Sequence, residues 1–348
     1  SFRGAKPLKE IISPFPLIRG RGTKGDGVQL SNIKIIGLGA LNTDHIYNVE
    51  RILGEGEAVV SSAASFRGGS AANTLYGLAK LGIKIGFAGV VGDDAEGKVL
   101  LSDFQKVGVD TSQISIKQGA KTGSVVCLSD SAGRRALYVM PGANNMLAID
   151  DLDLDYINRA EMLHLSSFVN DSQFQVMLEV IKKLDPSIKV SFSPGALYAA
   201  RGLRALAPIL AGTYVLFINH SEMRKLTDKD FTAGAAICLE QGCQIVVVTL
   251  GKGASYKNVL ATAYIRDGSS EYVVKPASQT RAQDTTGAGD AFTTGFLYGL
   301  IKGEGLKECG QLGDIAAQLS ISKTGARAGL PTADELARRY GELYNQQL

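Results

Sequence analysis

From residue 33 onward, short and almost unbroken apolar, β-rich runs alternate with segments of helical period. No other feature constrains the fold of this chain as tightly. The strand candidates are 33–39, 84–91, 162–165, 189–192, 214–218 and 244–250. Runs that are apolar throughout, rather than at every second position, belong to strands covered on both faces. Helical patterns lie between them at 71–81, 95–107, 172–184, 222–226 and 231–241. The alternation predicts an α/β fold: a doubly wound, mostly parallel sheet flanked by helices. After a hairpin expected at 254–275, the last third turns helical at 288–302, 306–323 and 332–345. Thr332, following Pro331, is the expected cap of the final helix.

Two segments, 46–66 and 121–140, break the alternation. Both read as strands and turns with no crossover helix of their own. They form either a small separate sheet over the strand ends, a lid that excludes water from a site, or an edge extension of the main sheet. The formal charge of +3 is too small to imply nucleic-acid binding. It also sits in one place: residues 1–30 hold six basic and two acidic residues, so the remainder is close to neutral. This stretch carries Pro7, Pro14 and Pro16 and reads as a basic, extended N-terminal extension. A transit peptide is the competing reading, against which stand the low serine content of this stretch and the want of a clear amphipathic period. The remainder, 31–348, is expected to be one domain. No run approaches the roughly 18 apolar residues of a membrane span. Cys127, Cys238, Cys243 and Cys309 form no CxxC pair and, with three histidines, no zinc cluster. They suit a reducing compartment, and the cytoplasm is the expected location. Cys238 and Cys243 are expected to be core thiols, and His45 and His164 structural.

Glycine is abundant, 41 of 348 residues against a usual ~7%, and clusters where chemistry is plausible. Asp284-Thr285-Thr286-Gly287-Ala288-Gly289-Asp290 leads straight into an apolar helical pattern. A helix that starts at a glycine turn leaves backbone N–H groups unpaired at the positive end of its dipole, which makes an anion site. Asp290, in the first turn, is placed to act as a general base beside a phosphate; a helix cap is the competing explanation. Gly68-Gly69 feeds a second helix, where Asn73 is placed to meet the hydroxyls of a polyol. Asn42 and Asp44, two residues apart after the first strand, point the same way. Neither GxGxxG nor GxxxxGK[ST] occurs, which disfavours a dinucleotide-dependent dehydrogenase and a P-loop enzyme.

These motifs resemble those of the ribokinase-like (PfkB) carbohydrate and nucleoside kinases, and within that family the ribokinases. Gly68-Gly69-Ser70-Ala71-Ala72-Asn73 is similar to the N-terminal signature, and Asp284 to Phe292 to the C-terminal one. The order of motifs agrees over roughly 31–345. The resemblance implies Asp290 as catalytic base and Gly287, Ala288 and Gly289 as the anion hole. It implies Asn42, Asp44, Gly68, Gly69 and Asn73 as sugar contacts. Asn219 and Glu222 match an NxxE motif that places magnesium and phosphate, and Thr249 and Gly251 match nucleotide contacts. Asp284 and Thr286, with loop 323–329, resemble a monovalent-cation loop. ATP, Mg2+ and K+ are thus the implied cofactors, with a small β-sheet lid and a homodimer through it. One position departs: where ribokinases carry a ribose-contacting glutamate, this chain has Ser166 or Ser167. The expected activity is ATP-dependent phosphorylation of a hydroxymethyl group on a sugar. The alternatives are a nucleoside kinase on the same fold and a non-catalytic sugar-binding relative. No nucleic acid or membrane partner is expected.

Overall fold

The computed structural model describes residues 33–132, 134–276 and 282–346. The basic segment 1–30 lies outside the described residues. In chain order the strands are β1 (Ile35–Leu38), β2 (Asn42–Val49), β3 (Val60–Gly68), β4 (Ile85–Gly92), β5 (Asp110–Lys117), β6 (Gly123–Asp130), β7 (Arg135–Met140), β8 (Met162–Ser166), β9 (Lys189–Ser193), β10 (Thr213–Asn219), β11 (Ile245–Tyr256), β12 (Val259–Asp267) and β13 (Glu271–Val274).

Nine of them form one sheet, in the order β13-β12-β11-β10-β9-β8-β1-β4-β5. Every pair from β11 to β5 is parallel, and β12 and β13 add an antiparallel edge. The continuous apolar runs explain the burial. In β1, Ile36 and Leu38 enter one core with Leu163, Leu165 and Phe192, while Ile35 enters the opposite core with Phe87, Val247 and Phe296. Each such side chain contributes about 1.5–3 kcal/mol when fully buried. Both faces of the sheet are therefore sealed by helices.

The segments that broke the alternation form a separate four-stranded sheet, β3-β2-β6-β7. It starts earlier than expected, at Asn42, so the Asn42–Asp44 pair belongs to this sheet and not to the end of the first strand. The pairing β2–β6 is parallel, and β2–β3 and β6–β7 are antiparallel. Period-two alternation gives one face Asn42, Asp44, Ile46, Val125, Cys127, Leu137 and Val139, in matched register.

The last helix, Ala333–Tyr344, starts at the expected cap: the Glu335 N–H donates to Thr332 Oγ1. His164 is fully buried in β8 beside Ser191 Oγ (2.9 Å), and burial pushes its pKa down to about 3, so it is a neutral core group. His45 lies beside Ser65 and Glu96. All four cysteines are buried. Among the described residues, no helix is long and apolar enough to cross a membrane.

Candidate active site

Two glycine-led helices pack side by side, with their N-termini together beneath the small sheet. The first, Ser70–Lys80, follows Gly69, whose φ of 98° favours glycine. A Cβ at Gly69 would collide with the Ala40 carbonyl oxygen, and one at Gly68 with the Asp44 carboxylate. Glycine at 68 thus lets Asp44 lie flat against the backbone. Ser166 supports the helix start by accepting from the Ala71 N–H (3.1 Å).

The second helix, Ala288–Lys302, follows Gly287 at φ 75°, packed against Ala326. Asp290 sits in its first turn. Its carboxylate accepts from Ser70 Oγ (2.7 Å) on Oδ1 and from Asn73 Nδ2 (2.9 Å) on Oδ2. Thr294 ties the two helices by donating to the Thr74 and Asp290 carbonyls. The side chain of Asp290 is therefore held by the other helix, which a simple cap would not require. Burial is the main force on it and raises its pKa to about 6, with the Glu222 charge adding; the Asn73 and Ser70 hydrogen bonds and the Arg327 charge oppose this. Asp44 is likewise raised to about 6, chiefly by burial, against the pull of Arg327.

Two cavities converge on this point. One, about 370 Å³, lies between Gly69, Asn73, Thr286 and Gly287 on one side and the small sheet on the other, which contributes Asn42, Asp44 and its aliphatic residues. The other, about 110 Å³, is lined by Ser193, Asn219, Glu222, Thr249, Gly289 and Thr293. Ser70 and Asp290 line both. A Cβ at Gly289 would meet nothing within 4 Å, so backbone is open to the second cavity there. A larger cavity, about 720 Å³, lies at the far end of the small sheet near Asn48 and Asp130. Its buried carboxylate, Asp130, is already held by the N–H groups of Ala132 and Arg134 and by the Arg134 guanidinium.

The other expected site residues are placed as follows. Asn219 and Glu222 form a reciprocal capping box: the Glu222 N–H donates to Asn219 Oδ1 (2.9 Å), and the Asn219 N–H to Glu222 Oε2 (3.1 Å). Thr249 is in register beside Asn219. Gly251 turns at φ 60° with open space at its Cβ position. Asp284 ties two loops together, accepting from Thr286 N–H and Oγ–H and from the Gly325 N–H. The Ala288 N–H turns back to the Thr285 carbonyl (3.3 Å), so it is partly committed within the turn. Asn73 is buried between Asp290 and Arg327 rather than standing free in the cavity of about 370 Å³.

Two residues carry weight that the motifs did not reveal. Ser70 was visible only as part of a signature, yet it touches Asp290. Arg327, a buried cation, bonds to Asn73, Asp103 and the Gly68 carbonyl. Its signal was slight: one arginine among small residues in Gly325-Ala326-Arg327-Ala328-Gly329.

The family model for pfkB family carbohydrate kinases matches residues 32–333. The chain belongs to this family. An uncharacterized sugar kinase of Archaeoglobus fulgidus is 39% identical over 255 residues, which is 73% of this chain and 98% of that protein. The fold is shared with Arabidopsis thaliana ribokinase complexed with ribose and ATP (TM-score 0.74, 24% identity, 88% of this chain and 98% of the other). It is shared also with Burkholderia thailandensis nucleoside kinase in complex with inosine (TM-score 0.75, 19% identity, 90% and 100%). This pfkB protein is a ribokinase-family kinase, a phosphotransferase whose acceptor is a sugar hydroxyl.

Proposed function

We propose that this kinase phosphorylates a hydroxymethyl group of a sugar-type acceptor with ATP, and that Asp290 is the general base. The observation that carries the reading is the shared wall: Ser70 and Asp290 line both cavities. A group that removes a proton from an acceptor hydroxyl as it attacks phosphorus must touch both substrates.

The acceptor occupies the cavity of about 370 Å³, its hydroxyls facing Asn42, Asp44 and the backbone of Gly68 and Gly69. The small sheet acts as the lid, so that water does not compete as acceptor. ATP enters the smaller cavity, with Thr249 and Gly251 beside the nucleotide and the N–H groups of 287–289 at the transferred phosphoryl group. Asp290 takes the hydroxyl proton onto its carboxylate.

Among the described residues, no cluster of three or more His, Cys, Asp or Glu could hold a metal. A divalent ion bound mainly by phosphates and waters would suit this donor set, with Glu222 and Asn219 as the residues that would hold it. Mg2+ bound there would supply charge that offsets the negative charge developing on phosphate. The Asp284 carboxylate is a tie between loops in its observed contacts. A monovalent cation such as K+ at Asp284 and Thr286 would strengthen that tie. Lid-to-lid association into a homodimer and a cytoplasmic setting complete the proposal.

One observation favours a nucleoside as acceptor: Ile46, Val125, Cys127, Leu137 and Val139 present an aliphatic roof suited to a flat base. A panel of pentoses, hexoses and nucleosides in an ADP-release assay, with and without Mg2+ and K+, tests the reading. Turnover on a hydroxymethyl acceptor is expected. Turnover confined to nucleosides would move the substrate class, and no turnover on any acceptor would contradict the reading.

A further inference from the structure

Arg327 is a buried guanidinium with no part in the proposed proton transfer. Its nitrogens reach three elements. Nε donates to Asn73 Oδ1 (2.9 Å), Nη1 to Asp103 Oδ2 (2.8 Å) and Nη2 to the Gly68 carbonyl (3.4 Å). Its plane lies near the Tyr76 and Phe104 rings, 4.9 and 5.2 Å from their centroids. Arginine has donors and no acceptor. The Asn73 atom facing it must therefore be the amide oxygen, and the amide nitrogen is left to face Asp290 Oδ2. A flipped amide would set oxygen against carboxylate and NH2 against guanidinium, and both contacts are repulsive.

We propose that Arg327 is a positioning residue, which locks the Asn73 amide in one orientation and through it aims the Asp290 carboxylate. The proposal rests on Asp290 as the base. Arg327 also sits where its charge favours the ionised forms of Asp290 and Asp44. The charged and titratable groups around this triad are Glu222 toward Asp290, and Asp103 and Tyr76 toward Arg327. Asp44 and Asp290 also repel each other. The neighbouring packing extends the lock, because Ala326 closes on Gly287 and the Gly325 N–H donates to Asp284. One loop thus touches the anion turn, the Asn73 side chain that holds the base, and the end of β3 at Gly68.

Removing Arg327 alone would leave the half-buried Asp103 without its cation. The working variant is therefore Arg327→Met with Asp103→Asn, which keeps an apolar stem against Tyr76 and Phe104. Arg327→Lys is the conservative variant, and Asp290→Asn is measured beside them. The readouts are kcat and acceptor kcat/KM from pH 5 to 9, and the KM for ATP. For the Met/Asn pair, kcat is expected to fall by about 10- to 100-fold. The acidic limb of kcat/KM should move up by about one pH unit, with the KM for ATP unchanged. Lysine keeps the charge but not the fork, so the limb should stay in place while kcat recovers only in part. If the Met/Asn pair does not fold, Arg327→Lys alone carries the test, and wild-type kcat there overturns the proposal. A uniform loss at all pH values, with the limb at its wild-type position, would also overturn it and leave a structural role. If Asp290→Asn transfers phosphate at nearly the wild-type rate, the base reading falls and this proposal with it. An inactive Asp290→Asn beside wild-type behaviour in the Arg327 variants removes the positioning proposal alone.

Discussion

The two glycine turns that open the site look alike in sequence and differ in physics. At Gly68 and Gly69 the space a side chain would occupy is already filled, by the Asp44 carboxylate and the Ala40 carbonyl. At Gly289 that space is open and faces the smaller cavity. The first pair of glycines is needed to assemble the protein's own parts, and Gly289 leaves room for something that arrives. Gly287 sits between these cases, since it faces Ala326 but also adopts a left-handed turn that only glycine adopts readily. A glycine-rich motif is therefore not one kind of evidence; what occupies the missing Cβ decides what the glycine is for.

Substitutions can break this comparison. The largest effect is expected at Gly69. Alanine there must bear a φ of 98° and a clash with backbone, which costs about 3 kcal/mol or more; urea unfolding of Gly69→Ala measures it. Gly68→Ala meets only the movable end of Asp44. Its stability loss should be smaller, about 1–3 kcal/mol, while the KM for the acceptor rises as Asp44 is pushed aside. Gly289→Ala should lie within about 1 kcal/mol of wild type and on the stable side, because alanine is the better helix former. Its kcat/KM for ATP should nevertheless fall, as the methyl group enters the cavity. Equal stability losses at 69 and 289 would erase the distinction.

A finer prediction concerns Ser70, which donates one of the two side-chain hydrogen bonds to Asp290. Such a donor favours the ionised carboxylate, so Ser70→Ala should raise the pKa of Asp290 further above its value of about 6. A base is inactive when protonated, so wild-type kcat/KM should fall as pH drops below about 6. In Ser70→Ala that fall should begin at higher pH, by less than about one unit.

Much of the main sheet was legible because burial on both faces writes an unbroken apolar run, as in Ile35–Leu38 and Ile245 to Val248. The strand β5 was not, since Asp110–Lys117 is a half-exposed edge whose sequence alternates with polar residues. Helix Gly202–Leu210 was hidden by Pro208 inside it. In the site, Asp290 and the glycines stood out because local spacing places them. Asn73 was legible as polar and near, but not its partners, which come from 217 and 254 residues away. Arg327 had no local pattern to betray it. Its role depends on three elements that only the folded chain brings together. Asn219 and Glu222 illustrate the reverse case: their spacing also encodes a capping box, a local structural reason for the same two residues.

The central claim is that Asp290, at the junction of the two cavities, accepts the acceptor's proton. Single-turnover phosphoryl transfer by Asp290→Asn, with acceptor affinity measured by calorimetry on the same preparation, tests it most directly. The account expects acceptor binding to be retained and the transfer rate to fall by about 10²- to 10⁴-fold. Transfer near the wild-type rate with unchanged binding would contradict it.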